Sequence, residues 1–243
     1  WRNILEVKES NTEIVNQFYD YGQFIADTVG YDFGEFISDI EQGPDGLVYC
    51  SIRGSRVYNS NPPRWSGGII IVDIDNPANI SLIDTSFLSF HTTPTNDIPY
   101  QVVLDVEFDN SGNMWVANPY CTNGNSPIHV RSPDGQWRHY RSDETETSLS
   151  HTPISITFDS FGRTWVSSFQ ASNINIGLPN GGIAALEYIG PPFNPISFSW
   201  NQLSTNGTVW SIAIGNNDRL YYLTPSGLNY FDLKAGSRPI AGE

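Results

Sequence analysis

The chain has 243 residues, 39% hydrophobic and 13% aromatic, with abundant Gly and Pro. That suits one large all-β domain with a substantial core and many short strands joined by turns. The net charge of −14 argues against a nucleic-acid partner, because phosphate-backbone binding needs a basic footprint.

Residues 1–10, opening Trp1-Arg2-Asn3-Ile4-Leu5-Glu6-Val7, read as a lone outer strand that could close a ring. Residues 11–35 read as a long connection with a short helix near 12–18. From there a phrase recurs four times. It runs Ile40-Glu41-Gln42-Gly43-Pro44-Asp45-Gly46-Leu47-Val48-Tyr49, then Val106-Glu107-Phe108-Asp109-Asn110-Ser111-Gly112-Asn113-Met114-Trp115. It returns as Ile156-Thr157-Phe158-Asp159-Ser160-Phe161-Gly162-Arg163-Thr164-Trp165 and, worn, as Ile212-Ala213-Ile214-Gly215-Asn216-Asn217-Asp218-Arg219-Leu220-Tyr221. Each copy is an alternating strand, a polar turn and a second strand with an aromatic residue. The copies begin 66, 50 and 56 residues apart, close to the length of a four-stranded propeller blade with insertions.

The units therefore divide as blade 1 at 36–100, blade 2 at 101–150, blade 3 at 151–206 and an incomplete blade 4 at 207–234, with a tail at 235–243. In blade 1, strands A to D are expected near 36–42, 47–52, 68–74 and 81–88. Strands C and D of blade 2 flank the turn Ser132-Pro133-Asp134-Gly135, and those of blade 3 lie at 182–188 and 197–203. Blade 4 has its third strand at 228–233 and no fourth. The fold class is thus all-β, a β-propeller or propeller fragment with four detectable blade units. The units form either a closed four-blade ring or, the favoured reading, an arc of a larger one. The chain opens on Trp1 and its sole methionine is Met114, so it reads as a processed chain or a piece of a longer one. No run approaches the roughly 18 apolar residues of a membrane span.

The fourth unit, Leu220-Tyr221-Tyr222-Leu223-Thr224-Pro225-Ser226-Gly227-Leu228-Asn229-Tyr230-Phe231-Asp232, resembles the two-component-regulator propeller repeat. There, an aromatic-rich strand is followed by Thr, a tight turn, Gly-Leu and a strand ending in Phe-Asp. Val209-Trp210-Ser211-Ile212-Ala213-Ile214 also matches, as do the Gly-Gly pairs Gly67-Gly68 and Gly181-Gly182. Blade 2 departs, with Ser126-Pro127 at that place. The phrase is also similar to streptogramin-lyase-like propeller repeats. The resemblance implies a bacterial extracytoplasmic module (periplasmic, cell-surface or secreted) from a sensor or surface protein.

The connections differ between the two ends of the blades. A–B turns are short, whereas B–C connections at 53–67, 118–127 and 168–181 and D–A connections at 90–100 and 141–152 are long. Long loops on a rigid scaffold carry function, so a binding site is expected on the B–C/D–A end. Arg53, Arg56, Tyr58 and Trp65 form its densest basic and aromatic cluster, with Tyr100 and Tyr120 as further candidates. Arginine beside aromatic planes suits acidic sugars or a protein surface. Packing of these aromatics within their own loops is the competing reading.

Tyr49, Trp115, Trp165 and Tyr221 occupy equivalent strand-B positions and read as scaffold between blades, as do Trp137 and Trp200 on strand D. Cys50 and Cys121 sit near one end of adjacent blades, so a disulfide between them is one reading and two free thiols the other. No catalytic residue, metal site or cofactor is assigned. Asp73-Ile74-Asp75-Asn76 and Asp109-Asn110-Ser111-Gly112-Asn113 are explained by turn chemistry. Asp39 and Asp105 hold equivalent strand-A positions, where Ser155 and Ser211 stand in later units. The expected function is non-enzymatic binding of a ligand or protein partner. A lyase-like or lactonase-like enzyme acting on a polysaccharide or small cyclic substrate, and a structural module of a surface or secretion assembly, are the alternatives.

Overall fold

The computed structural model describes residues 4–8, 16–20, 36–54, 66–76, 79–84, 86–89, 100–121, 126–142, 144, 150–170, 181–203 and 207–233. Alternating apolar residues bounded by Gly, Asp and Pro turns produce antiparallel sheets in chain order. Blade 1 is β3 (Phe36–Gln42), β4 (Val48–Arg53), β5 (Gly68–Val72) and β6 (Ile80–Ile83). Blade 2 is β7 (Asp105–Phe108), β8 (Met114–Ala117), β9 (Ile128–Arg131) and β10 (Trp137–Tyr140). Blade 3 is β11 (Pro153–Phe158), β12 (Thr164–Ser168), β13 (Gly182–Ile189) and β14 (Ser197–Leu203). Blade 4 is β15 (Ser211–Gly215), β16 (Arg219–Thr224) and β17 (Gly227–Asp232), three strands among the described residues. Successive sheets pack face to face as propeller blades, and the all-β propeller expectation holds.

Several local expectations change. β1 (Ile4–Lys8) pairs with β2 (Asn16–Asp20) in a two-stranded sheet of its own, not with β17. Asn16–Asp20 is strand, so the short helix expected near 12–18 is corrected over residues 16–18. The outer strand of blade 1 stops at Ile83 rather than 88. Asp84 ends it: its carboxylate accepts the Ser86 N–H and its carbonyl those of Phe87 and Leu88. Asp73 likewise ends β5 by accepting the N–H groups of Asp75 and Asn76.

Each blade has one face toward the blade that follows and one toward the blade before. Period-two alternation assigns residues to them. Tyr49, Ile69 and Ile83 of blade 1 meet Val106, Met114 and Val116 of blade 2. Trp115, Ala117, Ile128, Val130 and Tyr140 of blade 2 meet Ile156, Val166, Leu186 and Trp200 of blade 3. Trp165, Ile183 and Ala185 of blade 3 meet Ile212 and Leu220 of blade 4. Tyr49, Trp115 and Trp165 are 4%, 0% and 0% exposed, as their scaffold role requires.

The recurring polar turn holds these aromatics. Asp109 accepts the Trp115 indole N–H at 3.0 Å, and Asp159 that of Trp165 at 2.8 Å. The Tyr49 hydroxyl donates to Asp45 at 2.8 Å. A buried indole N–H needs an acceptor, so the turn carboxylate and the strand-B aromatic work as one unit. The same bonds occupy Asp109, which also takes the Ser111 and Asn113 N–H groups.

The Gly-Gly pairs have a steric reason. Gly67 and Gly181 have φ of +86°, and an added Cβ would lie 2.0 Å from the Gln101 carbonyl oxygen and 2.5 Å from that of Gly207. Backbone entering the next blade crosses here, against the return into strand C. No helix of the described residues is long and apolar enough to cross a membrane.

Candidate functional site

The crossing at Gly67 builds the B–C/D–A end. Gly54 N–H donates to the Gln101 carbonyl at 2.8 Å, and Gln101 N–H donates to the Ser66 carbonyl at 2.9 Å. Arg53 and Val102 form a β-bridge. These bonds fix Tyr100, the residue before Gln101, beside the end of β4. Tyr120 follows β8 and has φ of +62°, an uncommon conformation for a residue with a bulky side chain. Its N–H donates to the His151 carbonyl at 3.1 Å, and its ring packs on Phe169 with centroids 5.3 Å apart.

Arg53, Tyr100 and Tyr120 come together. Burial pushes the Tyr120 phenol up, the Arg53 guanidinium draws it down and Tyr100 adds a smaller upward push. Three connections thus bring one cation and two phenols within electrostatic reach. Beneath Tyr100, Gln101 is fully buried, and its side-chain amide has no hydrogen-bond partner among the described residues. Nothing in the repeat marks Gln101, because its position depends on the crossing of two loops. Arg56, Tyr58 and Trp65 lie outside the described residues.

Cys50 and Cys121 are free thiols, both buried. Of the two readings offered by the sequence, the structure holds the free thiols, and strand alternation places Cys50. Tyr49 points toward blade 2, so Cys50, one residue on, points the other way, into a cluster with Ile52, Ile70 and Val72. Burial pushes each thiol up to about 12, leaving neither as a nucleophile at neutral pH.

A second group of ionisable residues lines the inner strands. Asp39 accepts the Val106 N–H of the next blade at 3.2 Å, and Asp105 accepts that of Ile156 at 2.5 Å. The two carboxyls lie within electrostatic reach of each other, and burial raises both. Burial, then the Asp39 charge, holds Asp105 well above the usual carboxylate range. Two residues along, Glu107 is raised to about 7 by burial, then by Glu41 and Asp39. The spacing that pairs Asp39 with Asp105 also pairs Glu41 with Glu107, a signal the sequence carried. Later blades place Ser155 and Thr157, then Ser211 and Ala213, at these positions, so the acidic side belongs to blades 1 and 2. Such a pair can move a proton, yet each aspartate also braces the open inner edge of its neighbour.

The hairpin turn after β9 sets His139 opposite His129. Their Nδ1 atoms are 2.6 Å apart, and His129 Nε2 is 3.0 Å from Asn118 Oδ1. Burial lowers both imidazoles, most strongly His129, where the His139 charge adds to the effect. Both are neutral at pH 7. Among the described residues no group of three His, Cys, Asp or Glu side chains is arranged to hold a metal ion.

No family model and no curated protein matches the sequence. Several solved structures share the fold. One is PorZ, a bacterial surface component of the type-IX secretion system of Porphyromonas gingivalis, with 14% identity and a TM-score of 0.61 over 96% of this chain and 30% of that one. Another is the extracellular domain of a putative one-component system from B. thetaiotaomicron, with 15% identity and a TM-score of 0.54 over 94% of this chain and 25% of that one. A third is a gluconolactonase of Xanthomonas campestris, with 13% identity and a TM-score of 0.52 over 81% of this chain and 58% of that one. At these identities the likeness is one of fold. The chain spans less than a third of the first two proteins.

Proposed function

We propose that the chain is a non-enzymatic, extracytoplasmic propeller module of a bacterial sensor or surface protein, and that it holds its ligand on the B–C/D–A end. The observation that carries this reading is the convergence of Arg53, Tyr100 and Tyr120 from three separate connections. A strained Tyr120 and a buried, unpartnered Gln101 amide at the same end add to it. Polar groups without partners and strained residues mark places where structure is held for another purpose. A cation within electrostatic reach of two phenols, on a chain of net charge −14, suits an acidic sugar or a carboxylate-bearing protein surface. Similarity in fold to the extracellular domain of a putative one-component system and to a secretion-system surface component supports the extracytoplasmic setting.

The test is calorimetric titration with uronic-acid oligosaccharides and their neutral counterparts. The acidic series should bind, and Arg53→Ala should weaken it about tenfold, the worth of one charge-assisted contact. Equal binding of both series, or no effect of Arg53→Ala on any ligand that binds, would move the site elsewhere.

One observation favours a second reading. Asp39 and Asp105 lie within electrostatic reach of each other on the inner strands, both raised by burial, an arrangement an acid–base enzyme can use, and a gluconolactonase has the same fold. Hydrolysis of a sugar lactone that disappears in Asp105→Asn would establish that reading in place of the first.

A further inference from the structure

The interfaces between blades 1 and 2 and between blades 2 and 3 share one register, so their positions correspond. On the face of blade 1 toward blade 2, Tyr49 pairs with Ile71 and Ile71 with Ser81. On the face of blade 2 toward blade 3, Trp115 pairs with Val130 and Val130 with Arg138. Ser81 therefore stands where blade 2 has Arg138. On the opposing faces, Arg131 pairs with Trp137 in blade 2, and Leu186 with Trp200 in blade 3. Two residues before these tryptophans stand Gly135 and Phe198.

Between blades 2 and 3 the Phe198 ring packs on Tyr140, with centroids 5.2 Å apart, and the Arg138 guanidinium lies 5.2 Å from that ring. Between blades 1 and 2 a serine and a glycine take those two places. The space they leave is a cavity of about 260 Å³, with Ile71 and Ser81 on one side and Arg131 and Trp137 on the other. Phe87 also lines it while 48% exposed, held by the bond from its N–H to the Asp84 carbonyl. The Trp137 ring lies nearly parallel to Phe87 and to His139, at 18° and 11°, which braces the indole wall. Arg131 stands where blade 3 has a leucine. It is partly buried, its guanidinium is 6.0 Å from the Trp137 centroid, and it forms no ion pair among the described residues. A cation held beside an indole without a counter-charge suits a carboxylate.

We propose that this crevice is a second binding site, separate from the B–C/D–A end, for a small carboxylate that carries one aromatic ring. The ring takes the place that Phe198 holds in the next interface, against Ile71 and Trp137, and the carboxylate pairs with Arg131. Volume sets the size of the ligand. The cavity is smaller than the roughly 300–1,000 Å³ of sites for drug-sized molecules, so it admits one ring and a short side chain. Because its walls come from two blades, occupancy ties blade 1 to blade 2 and stabilises both by mass action.

The test is calorimetric titration of the 243-residue chain with 3-phenylpropanoate, its uncharged amide and butanoate. The aromatic acid should bind at least about tenfold tighter than the other two, because each of them lacks one of the two contacts. At ten times its Kd it should slow hydrogen exchange across β6 and β10 by about tenfold. Arg131→Gln should abolish the preference for acid over amide. Ser81→Phe should weaken the acid at least about tenfold by filling the space. Arg131→Gln removes no ion pair, so it serves alone should Ser81→Phe fail to fold. Arg53→Ala should leave binding unchanged, which separates this site from the one proposed above. Equal binding of acid and amide, an acid preference that survives Arg131→Gln, loss of binding in Arg53→Ala, or no binding at about 10 mM would each overturn the proposal.

Discussion

Blades 3 and 4 carry the same phrase and end differently. In blade 3, Trp165 is fully buried, its indole N–H bound to Asp159 and its ring against Ile212 and Leu220 of the next blade. In blade 4 the equivalent Tyr221 lies 6.0 Å from Tyr230, on a face where Leu223, Leu228 and Tyr230 are 42%, 70% and 56% exposed. A repeat unit cannot bury its own forward face; the next unit does that. The aromatic of strand B is therefore a core residue only when something follows it. The far face of blade 4 has the composition of an interface without the neighbour.

Four measurements break or sharpen that contrast. The largest effect is expected at Trp165→Ala, which should cost about 3–5 kcal/mol in urea denaturation, against under about 1 kcal/mol for Tyr221→Ala. Similar losses at both would mean that blade 4 is as well buried as blade 3.

Next come two glycines of blade 3. Gly181→Ala places a Cβ 2.5 Å from the Gly207 carbonyl oxygen at φ of +86°, whereas Gly162→Ala at +79° meets nothing within 4 Å. The second should cost about 1–2 kcal/mol from backbone strain alone, and the first should lower thermal stability further. Equal melting temperatures would remove the close crossing between blades 3 and 4.

The third is a pH effect from blades 1 and 2. The folded chain holds the Glu107 proton up to about 7, against an ordinary value of 4.5. The raised value means the folded state binds that proton more tightly than the unfolded one. Its contribution is therefore fully present below pH 4.5 and lost as pH rises to about 7. Glu107→Gln should flatten this decline and raise the melting temperature at pH 8 by about 2–4 °C, equivalent to about 1 kcal/mol once partial exposure is discounted. An unchanged pH profile would contradict the buried carboxylate group.

The smallest change is expected at Leu228→Lys, within about 0.5 kcal/mol of the starting stability. A loss above about 2 kcal/mol would mean that this face is covered.

Much of the scaffold was legible because it repeats. Equivalent spacing of Tyr49, Trp115 and Trp165 marked the blade cores, and the Asp109 and Asp159 turns read as turns. For Cys50 the sequence left a bridge to Cys121 and two free thiols both open, and the structure holds both as free, buried thiols. The end of β6 was not legible, because Asp84 stops the strand through local bonds to Ser86, Phe87 and Leu88, while the apolar Phe87 and Leu88 beyond it read as its continuation. Pairing of β1 with β2 was hidden because residues 16–20 have no period that distinguishes strand from connection. At the candidate site, Arg53, Tyr100 and Tyr120 could be named singly. Their proximity could not, since it depends on Gly54 and Gly67 letting the Gln101 backbone cross at van der Waals distance. The proximity of Asp39 and Asp105 likewise depends on how two blades meet, which no single strand records.

The contrast between blades is tested most directly by native-state hydrogen exchange on the unliganded chain. Amides of β12 should exchange only through global unfolding, while those of β17 should exchange through local opening at least about a hundredfold faster. Equal protection of β12 and β17 would contradict the account of blade 4 as a sheet whose far face is exposed.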